Sequence, residues 1–217
     1  MYMNGEGVAE DDTQALSLYR QACEGGHMKA CSNLGAMYMN GEGVAEDDAQ
    51  ASALFRQACE GGDLIGCYNL GVMYENGEGV AEDKTQAVAL YRQACEGGDM
   101  TGCYNLGVMY MNGEGVAEDD AQAVALYRQA CEGEYLTGCV NLGVMYMNGE
   151  GVAEDDTQTV ALFRDACADG HMKSCVNLGV MYMNGEGVAL DHTQAVSFFR
   201  QACNGGLVAA CDSASGL

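Results

Sequence analysis

Apolar residues along the chain fall into two helical phases that alternate. From Thr13 to Glu24, Ala15, Leu18, Tyr19, Ala22 and Cys23 recur at i, i+3, i+4, i+7 and i+8. That spacing predicts one apolar face of an amphipathic helix. Asp11 or Asp12 stands where an N-cap is needed, and Gly25-Gly26 ends the segment and turns the chain. A second helix is predicted from about His27 to Met39, with Cys31, Leu34, Gly35 and Tyr38 as its stripe. Gly41 closes that helix, and the acidic loop N-G-E-G-V-A-E-D-D leads into the next copy of the first. Each cycle is therefore an αα-hairpin, joined to the next by a longer loop.

The cycle returns every 36 residues without insertion or deletion, as the asparagine of N-G-E-G-V shows at Asn4, Asn40, Asn76, Asn112, Asn148 and Asn184. A fixed period of this length is the mark of a solenoid, one body in which each unit touches its neighbours. The expected fold is all-α: an αα-hairpin solenoid of six 36-residue repeats, wound as a right-handed superhelix of about twelve helices, one repeat domain over residues 1–217. Gly35 recurs at one helical phase in five repeats, although glycine costs about 1 kcal/mol against alanine inside a helix. Close approach of a neighbouring helix is the expected reason.

The two ends depart from the rule. Met1-Tyr2-Met3 matches Met37-Tyr38-Met39, so the first repeat lacks its first helix, and after Cys211 the Asn-Leu-Gly of the other repeats gives way to Asp212-Ser213-Ala214. The ends are complementary in phase. They allow head-to-tail self-association into filaments, with a fragment of a longer array as the alternative expectation.

Composition changes the picture at three points. The chain is 48% hydrophobic, enough for a continuous core, and no run is long enough to span a membrane. The net charge is −23, with acids gathered in the V-A-E-D-D segments and only nine basic residues, six of them the single arginine of each repeat from Arg20 to Arg200. Such a surface repels nucleic acid and anionic lipid. It reads as a solvated acidic edge, with a basic partner, weak divalent cations or a salty medium as sharper alternatives. Twelve cysteines in C-x7-C pairs look like a disulfide framework, each bridge contributing about 2–3 kcal/mol. Zinc is the alternative, although zinc knuckles use tighter spacing. Disulfides place the chain in an oxidising compartment, secreted or periplasmic. Because Met1 falls inside a repeat, a removed leader or a longer parent chain is expected.

Cys31, Leu34, Gly35 and Tyr38 fit the W-x2-L-G-x2-Y core of a tetratricopeptide unit with cysteine in the tryptophan place, and Ala15 and Tyr19 fit its A-x3-F element. The 36-residue period and the longer N-G-E-G-V loop resemble instead the Sel-one-like repeat family, and the C-x7-C pairs resemble its Helicobacter cysteine-rich proteins. The resemblance implies six disulfides, one per pair: Cys23/Cys31, Cys59/Cys67, Cys95/Cys103, Cys131/Cys139, Cys167/Cys175 and Cys203/Cys211. It also implies protein–protein interaction and host contact, and for some members penicillin binding with slow β-lactam hydrolysis.

The residues give that last property no support. A serine β-lactamase needs S-x-x-K, and no serine here has a lysine one helical turn on; Lys173 and Ser174 are adjacent and point apart. His27, His171 and His192 are isolated, and the repeated G-E-G joins two helices instead of cradling a phosphate. No catalytic residue, metal or cofactor is assigned.

The candidate site lies on the second helix of each hairpin. With Cys31, Leu34, Gly35 and Tyr38 buried, residues 29, 33 and 36 should face away. Later repeats place Ile65, Asn69 and Val72, then Asn105 and Val108, then Asn141 and Asn177 at these phases, with Tyr68 and Tyr104 where the first has Ser32. In tetratricopeptide-like solenoids this helix lines the concave surface. A row of amides from Asn33 to Asn177 could bind the backbone of an extended peptide, with the apolar neighbours choosing side chains. The alternative is that the asparagines bond to adjacent helices and hold the array. The expected function is a non-catalytic scaffold binding protein or peptide; filament formation and weak β-lactamase activity are the alternatives.

Overall fold

The computed structural model describes residues 11–215, which form twelve α-helices and no strand. The expectations for Met1-Tyr2-Met3 and for the loop before Asp11 lie outside the described residues. The helices group into two compact units, one ending at Glu118 and the other beginning at Asp119. The first holds α1 (Asp12–Glu24), α2 (Met28–Asn40), α3 (Asp48–Glu60), α4 (Leu64–Asn76), α5 (Lys84–Glu96) and α6 (Met100–Asn112). The second holds α7 (Asp120–Glu132), α8 (Leu136–Asn148), α9 (Asp156–Ala168), α10 (Met172–Asn184), α11 (His192–Asn204) and the short α12 (Ala209–Ser215).

Helix boundaries follow from capping. Asp11, not Asp12, is the N-cap of α1: its carboxylate accepts from the backbone N–H of Gln14 at 3.0 Å, while Asp12 opens the first turn. Asp47, Asp83, Asp119, Asp155 and Asp191 do the same for the other odd-numbered helices through α11. Such a cap is worth about 1 kcal/mol against alanine. The bond to Gln14 also holds the Asp11 carboxyl below its ordinary pKa.

The first helices turn inward the face read off the sequence, with one position added and one lost in α1: Ala15 and Cys23 are buried, and Tyr19 and Ala22 pack against them. Leu16 is buried beside Ala15, and Leu18 is 50% exposed. Its counterpart Leu54 is half-buried because it packs against the core of the preceding hairpin, built on Cys23, Cys31 and Leu34.

An aromatic ring accounts for the intrahelical glycine. Phe55 of α3 is fully buried against Gly35 of α2, where an added Cβ would stand 2.8 Å from a ring carbon. Tyr91 meets Gly71 in the same way, and in the second unit Phe163 meets Gly143 and Phe199 meets Gly179. The absent side chain is the socket for the next hairpin's ring.

Every C-x7-C pair is a disulfide. The first unit holds Cys23–Cys31, Cys59–Cys67 and Cys95–Cys103, with Cα atoms 4.7, 4.5 and 4.4 Å apart. The second holds Cys131–Cys139, Cys167–Cys175 and Cys203–Cys211, at 4.5, 4.8 and 4.8 Å. No cysteine is free, and the zinc alternative falls with that pairing. Cys175 is fully buried, and its Sγ also lies 3.6 Å from the Cys167 carbonyl oxygen. A bridged sulfur has no proton to donate, so this is a packing contact and not a hydrogen bond; the covalent bond alone ties Cys175 to Cys167.

Candidate peptide-binding face

The asparagine row is carried by α2, α4 and α6 in the first unit and by α8 and α10 in the second. Asn33 is exposed; Asn69, Asn105, Asn141 and Asn177 are half-buried. Among the described residues no side-chain hydrogen bond holds these five amides, so they do not tie neighbouring helices together. Each such amide keeps two donors and an acceptor without an intramolecular partner.

The flanking positions divide. Ile65 is 52% exposed on α4, as its phase requires. The phase of Val72 and Val108 is not outward. Both are half-buried, and the equivalents Ala36 and Val144 pack sideways onto the core of the following hairpin. A helix stacked on a neighbour is covered along its flank as well as its back, which a two-sided reading of the helical wheel misses. Tyr68 is half-buried, its ring 6.0 Å from that of Tyr91, and packs beside the Cys59–Cys67 bridge; Tyr104 is also half-buried.

Several contacts come from residues that the hydrophobic pattern passed over. Five of the six repeat arginines stand eighteen positions before a tyrosine, and the guanidinium donates to the phenol oxygen: Arg20 to Tyr38, Arg56 to Tyr74 and Arg92 to Tyr110, at 2.8 or 2.9 Å. Arg128–Tyr146 and Arg164–Tyr182 repeat the contact in the second unit. The constant spacing was the available signal. Ser32 of α2 donates to Asp63, the buried N-cap of α4, and so links consecutive hairpins. Lys84 pairs with Glu114 at 2.9 Å, and this contact holds its ammonium above the ordinary lysine pKa.

His171 and Ser174 have structural roles. His171 Nδ1 accepts the backbone N–H of Ser174 at 3.2 Å and lies 2.8 Å from its hydroxyl, which caps α10. Ser174 is fully buried, so no substrate carbonyl can approach it. Burial, and then the charge of Lys173, lower the His171 pKa. Among the described residues no three His, Cys, Asp or Glu side chains are grouped to hold a metal ion, and no helix is long and apolar enough to cross a membrane.

Comparison with known proteins agrees with this architecture. The Sel1 repeat family model matches six successive segments, 1–27, 29–63, 64–99, 101–135, 137–171 and 173–207. A protective antigen of uropathogenic Escherichia coli displaying an SLR fold is 36% identical over 98% of this chain, with a TM-score of 0.94; this chain spans 46% of that one. A Sel1 repeat protein from Oxalobacter formigenes is 24% identical over 90% of this chain and 86% of its own, with a TM-score of 0.82. Cysteine-rich protein B of Helicobacter pylori is 30% identical over 62% of this chain and 97% of its own, with a TM-score of 0.49. The curated proteins contain no match. With six tandem matches over nearly its whole length, the chain belongs to the Sel1 repeat family.

Proposed function

We propose that the protein is a non-catalytic, disulfide-stapled scaffold that binds an extended peptide segment along the asparagine-bearing helices of a unit. The observation that carries this reading is the set of amides at one phase, from Asn33 to Asn177, with no intramolecular hydrogen bond among the described residues. Packed helices lie roughly 8–10 Å apart, and an extended chain advances ~3.3 Å per residue, so each amide would meet about every third residue of a peptide. Ile65, Tyr68 and Tyr104 sit beside the row in the first unit and would select apolar side chains. The charge of −23 favours a partner that is basic outside the contact, by steering its approach.

Six disulfides require an oxidising environment. Secretion or a periplasmic location is the natural setting, and the description of a related Escherichia coli protein as a protective antigen supports an exposed role. The β-lactam activity carried by the family resemblance has no residue behind it; nitrocefin turnover above the buffer rate would reopen it.

The test is a peptide selected against the protein from a display library, titrated by fluorescence anisotropy. Asn69→Ala with Asn105→Ala should weaken it at least tenfold with the unfolding midpoint unchanged. An unaltered affinity would argue against the groove.

A further inference from the structure

A different part of the first unit carries a built cleft. Between α3 and α5, over α4, a space of about 340 Å³ opens, floored by Leu70 and Leu90. One repeat earlier the same residue types enclose about 180 Å³ between α1 and α3, with Leu34 and Leu54 as the floor. None of the asparagines of the proposed peptide face lines either cleft.

The fold does not require this space. In the second unit Leu126 and Leu162 keep the leucine of this phase, but Phe198 replaces it in the last hairpin, where its ring stacks on Tyr182 at 5.4 Å. There Gln201 also donates to the Cys167 carbonyl at 3.2 Å and draws the walls together. The open clefts are therefore a variant of a joint that the same protein also builds closed.

Their polar groups are held ready and unspent. Arg56 donates one N–H to the Tyr74 hydroxyl at 2.9 Å, which fixes the guanidinium at the rim with its other donors free. Gln86 and Gln93 line the wall, and their side-chain amides make no hydrogen bond among the described residues. Glu60, one helical turn from Arg56, is also at the rim.

We infer that the cleft over α4 is a second binding site, for a peptide residue that presents an aliphatic side chain beside a carboxylate. The aliphatic group lies on Leu70 and Leu90. The carboxylate takes the free donors of Arg56, a charge-assisted bond with the directional strength that a planar guanidinium gives. The two glutamines pair with the adjoining peptide group, and Glu60 accepts a main-chain N–H. A volume near 340 Å³ is at the small end of ligand pockets and suits one or two residues instead of a long segment. The carboxylate has two sources, the C-terminus of a peptide or an acidic side group.

Three peptides decide it, each titrated into the oxidised protein and followed by NMR at the Leu70, Leu90 and Gln93 signals: acetyl-Ala-Leu with a free carboxylate, acetyl-Asp-Leu-amide, and acetyl-Ala-Leu-amide. One or both carboxylate peptides should shift these signals, and which of them does so identifies the source. The neutral peptide should bind at least tenfold more weakly. Leu90→Phe copies the closed joint at Phe198, so it should keep the parent's unfolding midpoint and abolish the shifts. Arg56→Gln should weaken binding about tenfold should the first variant misfold. Asn69→Ala with Asn105→Ala should leave the shifts unchanged, which separates this site from the peptide face. Equal shifts with the neutral peptide, no shifts with any peptide, or full binding by Arg56→Gln would overturn the assignment.

Discussion

Tyr91 is fully buried, and its hydroxyl donates to Glu75 at 2.5 Å. Burial first, and then this bond, push the phenol pKa well above its ordinary value. Where the ring is Phe163, the residue in the Glu75 phase is Met147, packed on the same cluster. The acid–hydroxyl pair is particular to Tyr91, since the buried Tyr127 has Met111 at the Glu75 phase. Glu75→Leu, which offers neither an oxygen nor a sulfur acceptor, should cost about 1–3 kcal/mol by leaving the hydroxyl without its partner. Adding Tyr91→Phe should recover most of that loss, which urea unfolding of the two single variants and the double variant measures. Glu75 was legible in the sequence only as an acid in a phase that otherwise holds methionine; its partner sixteen residues on was not, because helical periodicity says nothing about which hydroxyl points where. His171 makes a second residue-scale prediction. Its pKa is lowered in the fold, while an unfolded histidine titrates near 6.5. Its contribution is full above that value and is lost as pH falls toward the folded pKa, because the unfolded chain takes up a proton that the capping ring resists. His171→Asp, which copies the caps Asp63 and Asp99, should unfold at a higher temperature than the parent at pH 5.0, by a margin that shrinks at pH 7.5.

Among the helices, the pair α7 and α8 is the exception. Their turn places Glu134 at φ +65°, where the other hairpins have glycines such as Gly62 at +89° and Gly98 at +97°. The N-cap of α8, Tyr135, makes no side-chain cap hydrogen bond, a lack it shares with His27 of α2 but not with Asp63 or Asp99. Cys131 and Cys139 are both half-exposed, whereas Cys95 and Cys103 are buried, as are Cys167 and Cys175. Glu134→Gly should therefore stabilise the protein by about 1 kcal/mol, read as a raised urea midpoint with an unchanged slope. Helix number, order and limits were legible because caps, glycines and the 3.6-residue period agree with one another in every repeat. The face of the first helices was legible only to within one position, as Leu16 and Leu18 show, since a stacked helix meets neighbours on more than one side. Gly35 was read correctly as a contact, but the ring that fills it could not be named from a local pattern.

Over the whole molecule the charge of −23 is set against few cations, and five of the six arginines bond to tyrosine hydroxyls instead of carboxylates. Self-repulsion on this scale is screened over about 10 Å at 0.1 M salt. Moving from about 10 mM to about 150 mM sodium chloride should raise the unfolding temperature by roughly 2–4 °C, which corresponds to about 1 kcal/mol for a protein of this size. Scanning fluorimetry at the two salt levels checks it. The six bridges bear on a different question, how the polypeptide is made. Every one joins thiols eight positions apart, on adjoining helices. Closing a loop costs ~0.6 kcal/mol more for each doubling of its length, so a thiol's native partner is also its easiest. Pairing can then proceed hairpin by hairpin as the polypeptide emerges, with little need for an isomerase to undo errors. An added repeat brings one more local closure and no competitor at similar range, so synthesis of a longer array meets no harder a sorting problem than synthesis of a single hairpin.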